Sequence, residues 1–171
     1  MDTRIENGWS GRTPSAASAI EGFITFKIGR LRKLLDRYSA ADLLKHFDLT
    51  LAEWRILATL HVASPTTVKW LAATLIADKA EISRACAKLV GRGLVKRLSD
   101  DGHLVVFSIT RKGSNLHDAI VPRRSAIQEE LASQLTPEEL AGLNSAAHKL
   151  IDYLAGKLAS GALTKRNKSR R

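Results

Sequence analysis

Four polar side chains between positions 79 and 84 have the chemical types that proteins use to contact nucleic acid: Lys79, Glu81, Ser83 and Arg84. An arginine can donate a bidentate pair of hydrogen bonds to O6 and N7 of guanine, and a glutamate can accept one from N4 of cytosine. A lysine in the first turn of a helix lies where the helix dipole already favours phosphate. The segment therefore predicts contacts to DNA bases and phosphates, with a merely solvated helix face as the alternative.

The same segment carries the signals of a helix start. Asp78 is a good N-cap and Glu81 follows three residues later, which predicts a reciprocal capping box at the start of a fourth helix. A third helix is predicted at about 67–75, and only residues 76–78 separate the two helices. A short helix, a tight turn and a second helix form a helix-turn-helix, whose second helix enters the major groove.

After the fourth helix, the period of the hydrophobic residues changes from about 3.6 residues to 2 residues. Residues 94–98 and 104–109 are rich in β-branched and large apolar side chains, and the loop between them contains Asp101 and Gly102. Two such runs joined by an Asp-Gly loop predict a β-hairpin. A hairpin in this place would form the wing of a winged helix-turn-helix.

Two local signals bound the neighbouring helices. Thr50 with Glu53 predicts a capping box at the start of helix 2, which should run to about Val62. Thr110 is expected to cap helix 5, in which Pro122 predicts a kink because proline removes a helical hydrogen bond.

Long amphipathic helices are predicted on both sides of the hairpin and helix-turn-helix. Apolar residues recur at three- and four-residue steps from Ser15 to about Phe47, and again from Pro137 to about Leu158. The chain is therefore expected to be mainly α with a small β-hairpin wing, a winged helix-turn-helix flanked by long dimerisation helices, with six helices in all. The expected organisation is a flexible arm at 1–14, dimerisation helix 1 at 15–48, the winged helix-turn-helix at 49–110, dimerisation helices 5 and 6 at 111–160, and a disordered basic tail at 161–171.

The charge balance suits a polyanionic partner. The formal net charge is +10, and the sequence pI is about 10.1. A basic surface attracts polyphosphate by Coulomb attraction and counterion release. The segment 164–171 contributes five positive charges and no negative one; it is either a solvated end or a source of nonspecific DNA affinity.

Composition also excludes several classes of protein. Cys86 is the single cysteine, so no internal disulfide can form. Charged residues interrupt every apolar run before it reaches the length of a membrane span, and residues 1–14 lack the apolar core of a signal peptide. A cytoplasmic protein without membrane contact is expected. The chain has no Gly-x-Ser-x-Gly, phosphate loop or His-Glu-x-x-His motif, so neither enzyme activity nor a cofactor is expected.

Several segments, in the right order, resemble the MarR (multiple antibiotic resistance regulator) family of transcription factors. They are LTLAEWRIL at 49–57, DKAEISR at 78–84 with Leu89 and GLVKR at 93–97, and Ser108-Ile109-Thr110 with Gly113. The resemblance extends over about 20–158. It implies a homodimer in which helices 1, 5 and 6 pair across a two-fold axis. The apolar stripe of helix 6 supports this, because it is too long for a small wing domain to cover.

The resemblance also implies where DNA is contacted. The expected residues are Thr67 and Lys69 on helix 3, Lys79, Ala80, Glu81, Ser83, Arg84 and Lys88 on helix 4, and Lys96, Arg97 and His103 on the wing. The family's wing carries an Asp-Arg-Arg triplet near its tip, whereas this chain has Asp101-Gly102-His103 there. Specificity should therefore rest on helix 4, with the wing contacting phosphate.

An effector cleft near helices 1, 2 and 5 is a further implication of the resemblance. An anionic aromatic effector would meet Arg30, Arg37, Trp54, Arg55 and His117. The alternative for Trp54, as for Trp70, is a place in the core or an interface.

Metal and redox chemistry have weaker support in the sequence. The five histidines include no pair at i, i+4 and no nearby cysteine, so no metal site is expected. Cys86 lies on the apolar side of helix 4 and is expected to be an inert buried thiol rather than a redox sensor.

Together these features predict a ligand-responsive repressor that binds double-stranded DNA as a homodimer. Its operator should be a pseudopalindrome with half-sites about 10 bp apart. Two alternatives stay open: an architectural binder of nucleic acid without sequence readout, and a winged-helix module that binds protein partners.

Overall fold

Six α-helices and a three-stranded sheet make up the residues that the computed structural model describes, 20–99 and 105–168. In chain order they are α1 (Ile24–Phe47), α2 (Leu51–Val62), β1 (Thr66–Thr67), α3 (Val68–Leu75), α4 (Lys79–Gly91), β2 (Val95–Ser99), β3 (Val105–Ile109), α5 (Arg111–Ala132) and α6 (Pro137–Lys168). The architecture confirms the predicted fold class, a mainly α protein with a winged helix-turn-helix and long flanking helices. No helix in the described residues is both long and apolar enough to cross a membrane.

The chain forms two units that divide between His117 and Asp118, inside α5. The first unit contains α1 to α4, the sheet and the beginning of α5. The second contains the remainder of α5 and all of α6. The winged helix-turn-helix therefore lies within the first unit.

The core of the first unit draws on all four of its complete helices. Leu43 of α1, Leu57 and Leu60 of α2, Leu71 of α3 and Leu89 of α4 each have 0% of their surface exposed. Burying one such side chain contributes about 1.5–3 kcal/mol to folding. This shared core holds α4 against the three helices that precede it.

Capping boxes set the start of two helices, and the first of them was predicted. The Thr50 backbone N–H donates to Glu53 Oε2 at 2.9 Å, and the Glu53 N–H donates to Thr50 Oγ1 at 3.2 Å. The same reciprocal pair joins Thr136 and Glu139, also at 2.9 and 3.2 Å, where α6 begins at Pro137. Each box satisfies two N–H groups at once, so α2 and α6 begin at the predicted residues.

The start of α4 differs from the reciprocal box that was predicted for it. The Asp78 carboxylate accepts from the N–H groups of Ala80 at 2.7 Å and Glu81 at 3.2 Å. Among the described residues, no return bond joins the Glu81 carboxylate to the Asp78 N–H, and Glu81 is exposed. One aspartate oxygen already satisfies two N–H groups, so the cap works without Glu81.

The predicted start of helix 1 at Ser15 lies outside the described residues, and the helix predicted from there is interrupted before α1. α1 begins at Ile24, and Phe23 before it is extended, with φ −73° and ψ 130°. The helix predicted to continue from Ser15 is therefore interrupted at this point. Gly22 precedes the break, and glycine destabilises a helix interior by about 0.5–1 kcal/mol relative to alanine. The arm predicted at 1–14 lies outside the described residues.

The predicted end of helix 6 is also wrong. α6 continues past Leu158 to Lys168, through most of the tail predicted to be disordered from residue 161. Lysine and arginine are good helix formers and are favoured near a helix C-terminus by the helix dipole. α5 likewise continues through Pro122.

The wing sheet has one strand more than the predicted hairpin. Its order is β1-β3-β2, and both neighbouring pairs are antiparallel. β1 consists of two residues, which is too short to leave a periodic signal in the sequence. The Ser64 hydroxyl supports this edge, because it donates to Ser108 Oγ at 2.9 Å and accepts from the Ile109 N–H at 3.1 Å. The Ser64–Pro65 peptide bond is cis.

Candidate nucleic-acid interface

Helix α4 has a buried and an exposed face. Its buried residues are Ile82, Ala85, Cys86 and Leu89. All six α4 residues predicted to contact DNA lie on the exposed face: Lys79, Ala80, Glu81, Ser83, Arg84 and Lys88. The core therefore holds one side of the helix while the other presents three cations, Lys79, Arg84 and Lys88, to solvent.

A tight turn places α4 directly after α3. Ile76 ends α3 in the left-handed conformation, with φ 50° and ψ 50°. The Ile76 N–H donates to the Ala73 carbonyl at 3.3 Å, and the Ala77 N–H donates to the Ala72 carbonyl at 3.0 Å. Left-handed backbone costs a residue other than glycine about 1–2 kcal/mol. The buried sides of α3 and α4 offset that cost, and the chain reverses within three residues.

The two α3 residues predicted to contact DNA differ in their surroundings. Thr67 is the N-cap of α3, and its hydroxyl accepts from the Trp70 N–H at 3.1 Å. Its hydroxyl proton is not used by the cap and is available to a phosphate oxygen. Lys69 is exposed in the first turn of the same helix. Both residues suit phosphate contact at the start of α3.

The two wing cations occupy opposite faces of β2. Lys96 lies opposite Ser108, and Arg97 lies opposite Phe107. Successive side chains of a strand alternate between the two faces of a sheet. Arg97 lines a groove of about 430 Å³ that also includes Ser83 of α4. Of the two, Arg97 therefore shares a surface with α4, and Lys96 faces away.

The wing tip lies at residues 100–104, which are outside the described residues. His103, predicted to contact phosphate, belongs to this segment, so its role remains a prediction.

The beginning of α5 is fastened to the end of the helix-turn-helix. The Thr110 hydroxyl lies 2.8 Å from the Gly93 carbonyl oxygen and 3.0 Å from that of Leu94, and it accepts from the Gly113 N–H at 3.1 Å. A Cβ added to Gly113 would lie 2.1 Å from the Leu94 carbonyl oxygen. Glycine is therefore required where α5 passes the backbone of Leu94, just before β2.

Arg92 joins the end of α4 to the end of α1. Its guanidinium donates to the Asp48 carbonyl at 2.5 Å and to the Phe47 carbonyl at 3.4 Å. The Asp48 carboxylate lies 3.7 Å from the same guanidinium, and the Lys112 ammonium donates to the Arg92 carbonyl at 2.8 Å. Sequence reasoning missed this junction because its partners are 44 and 20 residues from Arg92.

The residues predicted to meet an effector fall into three local groups. Arg30 and Arg37 line a shallow depression of about 470 Å³ on α1. Arg55 lines another cavity, of about 330 Å³, and pairs with Asp36 at 2.6 Å. Trp54 and His117 form the third group, which is a ring stack.

The ring stack includes a residue that the sequence did not single out. The His117 ring lies 5.5 Å from the Trp54 ring and 3.8 Å from the His61 ring, at interplanar angles of 16° and 14°. His61 and His117 lie on different helices, so no local spacing relates them. Only the fold brings the two imidazoles together.

Cys86 is buried in the core of the first unit with 0% of its surface exposed. Burial raises the pKa of its thiol to about 11, because a thiolate would lose its hydration there. The reactive species is the thiolate, so this environment favours the predicted inert thiol.

The sequence of the helix-turn-helix and wing matches a known family. Residues 47–103 match the sequence model of the MarR family. These residues include α2, α3, α4 and β2. This part of the chain is therefore similar in sequence to the MarR family. No curated protein sequence matches the chain.

Solved structures of MarR-family regulators share this fold. A MarR/EmrR family regulator from Acinetobacter sp. ADP1 aligns with a TM-score of 0.70 and 24% identity over 77% of this chain and 94% of the other. A MarR family regulator from Silicibacter pomeroyi aligns with a TM-score of 0.69 and 23% identity over 84% and 95%. MepR of S. aureus, in a complex with DNA, aligns with a TM-score of 0.68 and 21% identity over 77% and 99%. Because all three structures are less than 25% identical to this chain, the similarity establishes the fold alone.

Proposed function

We propose that this MarR-type protein is a transcriptional regulator that binds a pseudopalindromic operator as a homodimer. The observation that carries the proposal is the exposed face of α4, where Lys79, Arg84 and Lys88 stand on a helix held by the core. An α-helix fits the major groove, whose base edges distinguish all four base pairs. In this proposal Arg84 reads a base, and Lys79 and Lys88 bind phosphates.

Other contacts would fix the protein on the duplex. Thr67 and Lys69 at the start of α3 bind phosphates on one side of α4, and Arg97 binds on the wing side. Phosphate contacts set position and orientation, whereas base contacts set specificity. The net charge of +10 favours both kinds of contact, and the similar fold of MepR occurs in a complex with DNA.

Exposed apolar surface on α1 and α6 supports a homodimer. On α1, Ile24 and Leu34 are 61% and 54% exposed; on α6, Ile151 and Leu154 are 61% and 55% exposed. Contiguous apolar surface of this kind marks interfaces with other proteins. Pairing of α1, α5 and α6 across a two-fold axis would set two α4 helices about 34 Å apart, which matches half-sites about 10 bp apart.

The proposed regulator is a cytoplasmic repressor that a small anionic or aromatic effector releases from DNA. The effector would bind at one of three groups, Arg30 with Arg37, Arg55, or Trp54 with His117, and favour a dimer whose α4 helices no longer match the operator. Moving the population from 99:1 to 1:99 needs a difference in effector affinity of about 5.5 kcal/mol between the two states.

Electrophoretic mobility shift with two DNA fragments tests the proposal. One fragment is the intergenic DNA next to the protein's own gene, and the other is the same DNA with its sequence scrambled. We expect tight binding to the first and weak, salt-sensitive binding to the second. Equal affinity for both would indicate an architectural binder, and no binding at low salt would indicate a protein-interaction module; either result contradicts the proposal.

A further inference from the structure

We propose that His61 and His117 form a binding site for a divalent transition-metal ion such as Zn²⁺. His61 is in the last turn of α2, and His117 is in the second turn of α5; both lie in the first unit. Their rings stack with 3.8 Å between centroids, and their ligand nitrogens lie within 4.8 Å of each other. Residues 56 positions apart therefore bring two imidazoles into contact.

The chemistry of the pair suits a borderline-soft cation. Neutral imidazole is a preferred ligand of zinc, copper and nickel. A zinc–nitrogen bond is about 2.0–2.1 Å long, so two nitrogens on one ion are at most about 4.2 Å apart. Because the rings are nearly parallel, their in-plane lone pairs lie in nearly parallel planes and do not both point at one ion. Binding of one ion by both rings therefore requires a rotation of at least one ring about its Cβ–Cγ bond.

Neighbouring side chains orient the two rings. The Ser114 hydroxyl oxygen lies 3.4 Å from His61 Nδ1. A hydroxyl that accepts a hydrogen bond from Nδ1–H leaves Nε2 with the lone pair that binds a metal, which is a common outer partner of a metal-bound histidine. Trp54 stacks on His117 at an interplanar angle of 16° and restricts the tilt of that ring.

The exposure of the pair determines the kind of site. His61 is exposed and His117 is half-buried, so an ion can enter from solvent and keep water in its remaining positions. Structural zinc sites have four protein ligands and are closed, whereas this site would be open. A bound ion would join the end of α2 to the beginning of α5, which Thr110 joins to the backbone of Gly93 and Leu94.

Calorimetric titration of Zn²⁺ into the full-length, metal-free protein tests the site. We expect one zinc ion to bind per chain of the wild type. Binding should be about 100-fold or more weaker in His61→Asn and in His117→Asn, because even loss of an outer partner lowers metal affinity about 10- to 100-fold. Ser114→Ala should weaken binding by about tenfold. His148→Asn changes an exposed histidine of α6 and is the matched control, which should leave the affinity unchanged.

A second measurement separates metal binding from misfolding of a variant. Zn²⁺ should raise the melting temperature of the wild-type protein, because a ligand that binds only the folded state stabilises it. It should not do so for His61→Asn, whose circular dichroism without metal should match that of the wild type. No saturable zinc binding by the wild type, or wild-type zinc affinity in either histidine variant, would overturn the proposal. The outcome is independent of DNA binding, which is measured without metal.

Discussion

At the scale of single residues, the wing offers a matched pair of cations. Arg97 lines the groove beside α4, whereas Lys96 occupies the opposite face of β2. We expect Arg97→Ala to weaken DNA binding and to reduce the slope of log K against log salt by about 0.9, the value for one lost phosphate contact. Lys96→Ala should leave that slope nearly unchanged. Fluorescence anisotropy with labelled DNA at several salt concentrations measures both; equal losses in the two variants would contradict the assignment.

The buried thiol of Cys86 gives a second test at this scale. With a pKa of about 11, only about one thiol in a thousand is ionised at pH 8. We expect iodoacetamide to leave Cys86 unmodified in the folded protein and to modify it readily in denaturant. Mass spectrometry after a timed reaction measures the extent. If the folded protein were modified as fast as the unfolded chain, Cys86 would be accessible, and the result would support the alternative hypothesis that it is a redox sensor.

At the scale of elements, the contact between α5 and the backbone of Leu94, just before β2, requires glycine. Gly113→Ala would place its methyl group against the Leu94 carbonyl, so we expect the free energy of unfolding to fall by about 1–3 kcal/mol, the usual cost of overpacking. Gly142→Ala is the control, since a Cβ there meets nothing within 4 Å in α6. It should be neutral or stabilising by about 0.5–1 kcal/mol, because alanine favours a helix interior.

Urea unfolding followed by circular dichroism compares the two alanine variants. A Gly113→Ala protein as stable as the wild type would mean that α5 does not approach the Leu94 backbone this closely.

The elements also show which features the sequence could predict. Thr50 and Glu53 act over three residues, so their capping box was visible in the sequence and is present in the fold. β1 was missed because two residues carry no period and their partners lie in β3. The exposed face of α4 followed from helical spacing. By contrast, the pairing of His61 with His117 depends on how α2 and α5 pack, which no local pattern contains.

At the scale of the whole molecule, the exposed apolar side chains of α6 predict the oligomeric state. Leu154→Glu would place a charge in the proposed dimer interface, so we expect a monomer with much weaker operator binding. Lys157→Glu, also on α6 and exposed, is the control and should remain a dimer. Sedimentation velocity measures the state of each variant. A dimeric Leu154→Glu protein would exclude this part of α6 from the interface.

The central claim is that α4 reads DNA sequence through Arg84, and one ratio tests it directly. The measurement is the dissociation constant for scrambled DNA divided by that for operator DNA, at one salt concentration, in the wild type and in Arg84→Ala. A bidentate contact to guanine contributes about 1–3 kcal/mol of discrimination, so the ratio should fall by about 5- to 150-fold while affinity for scrambled DNA changes little. An unchanged ratio in a folded Arg84→Ala protein would contradict the claim.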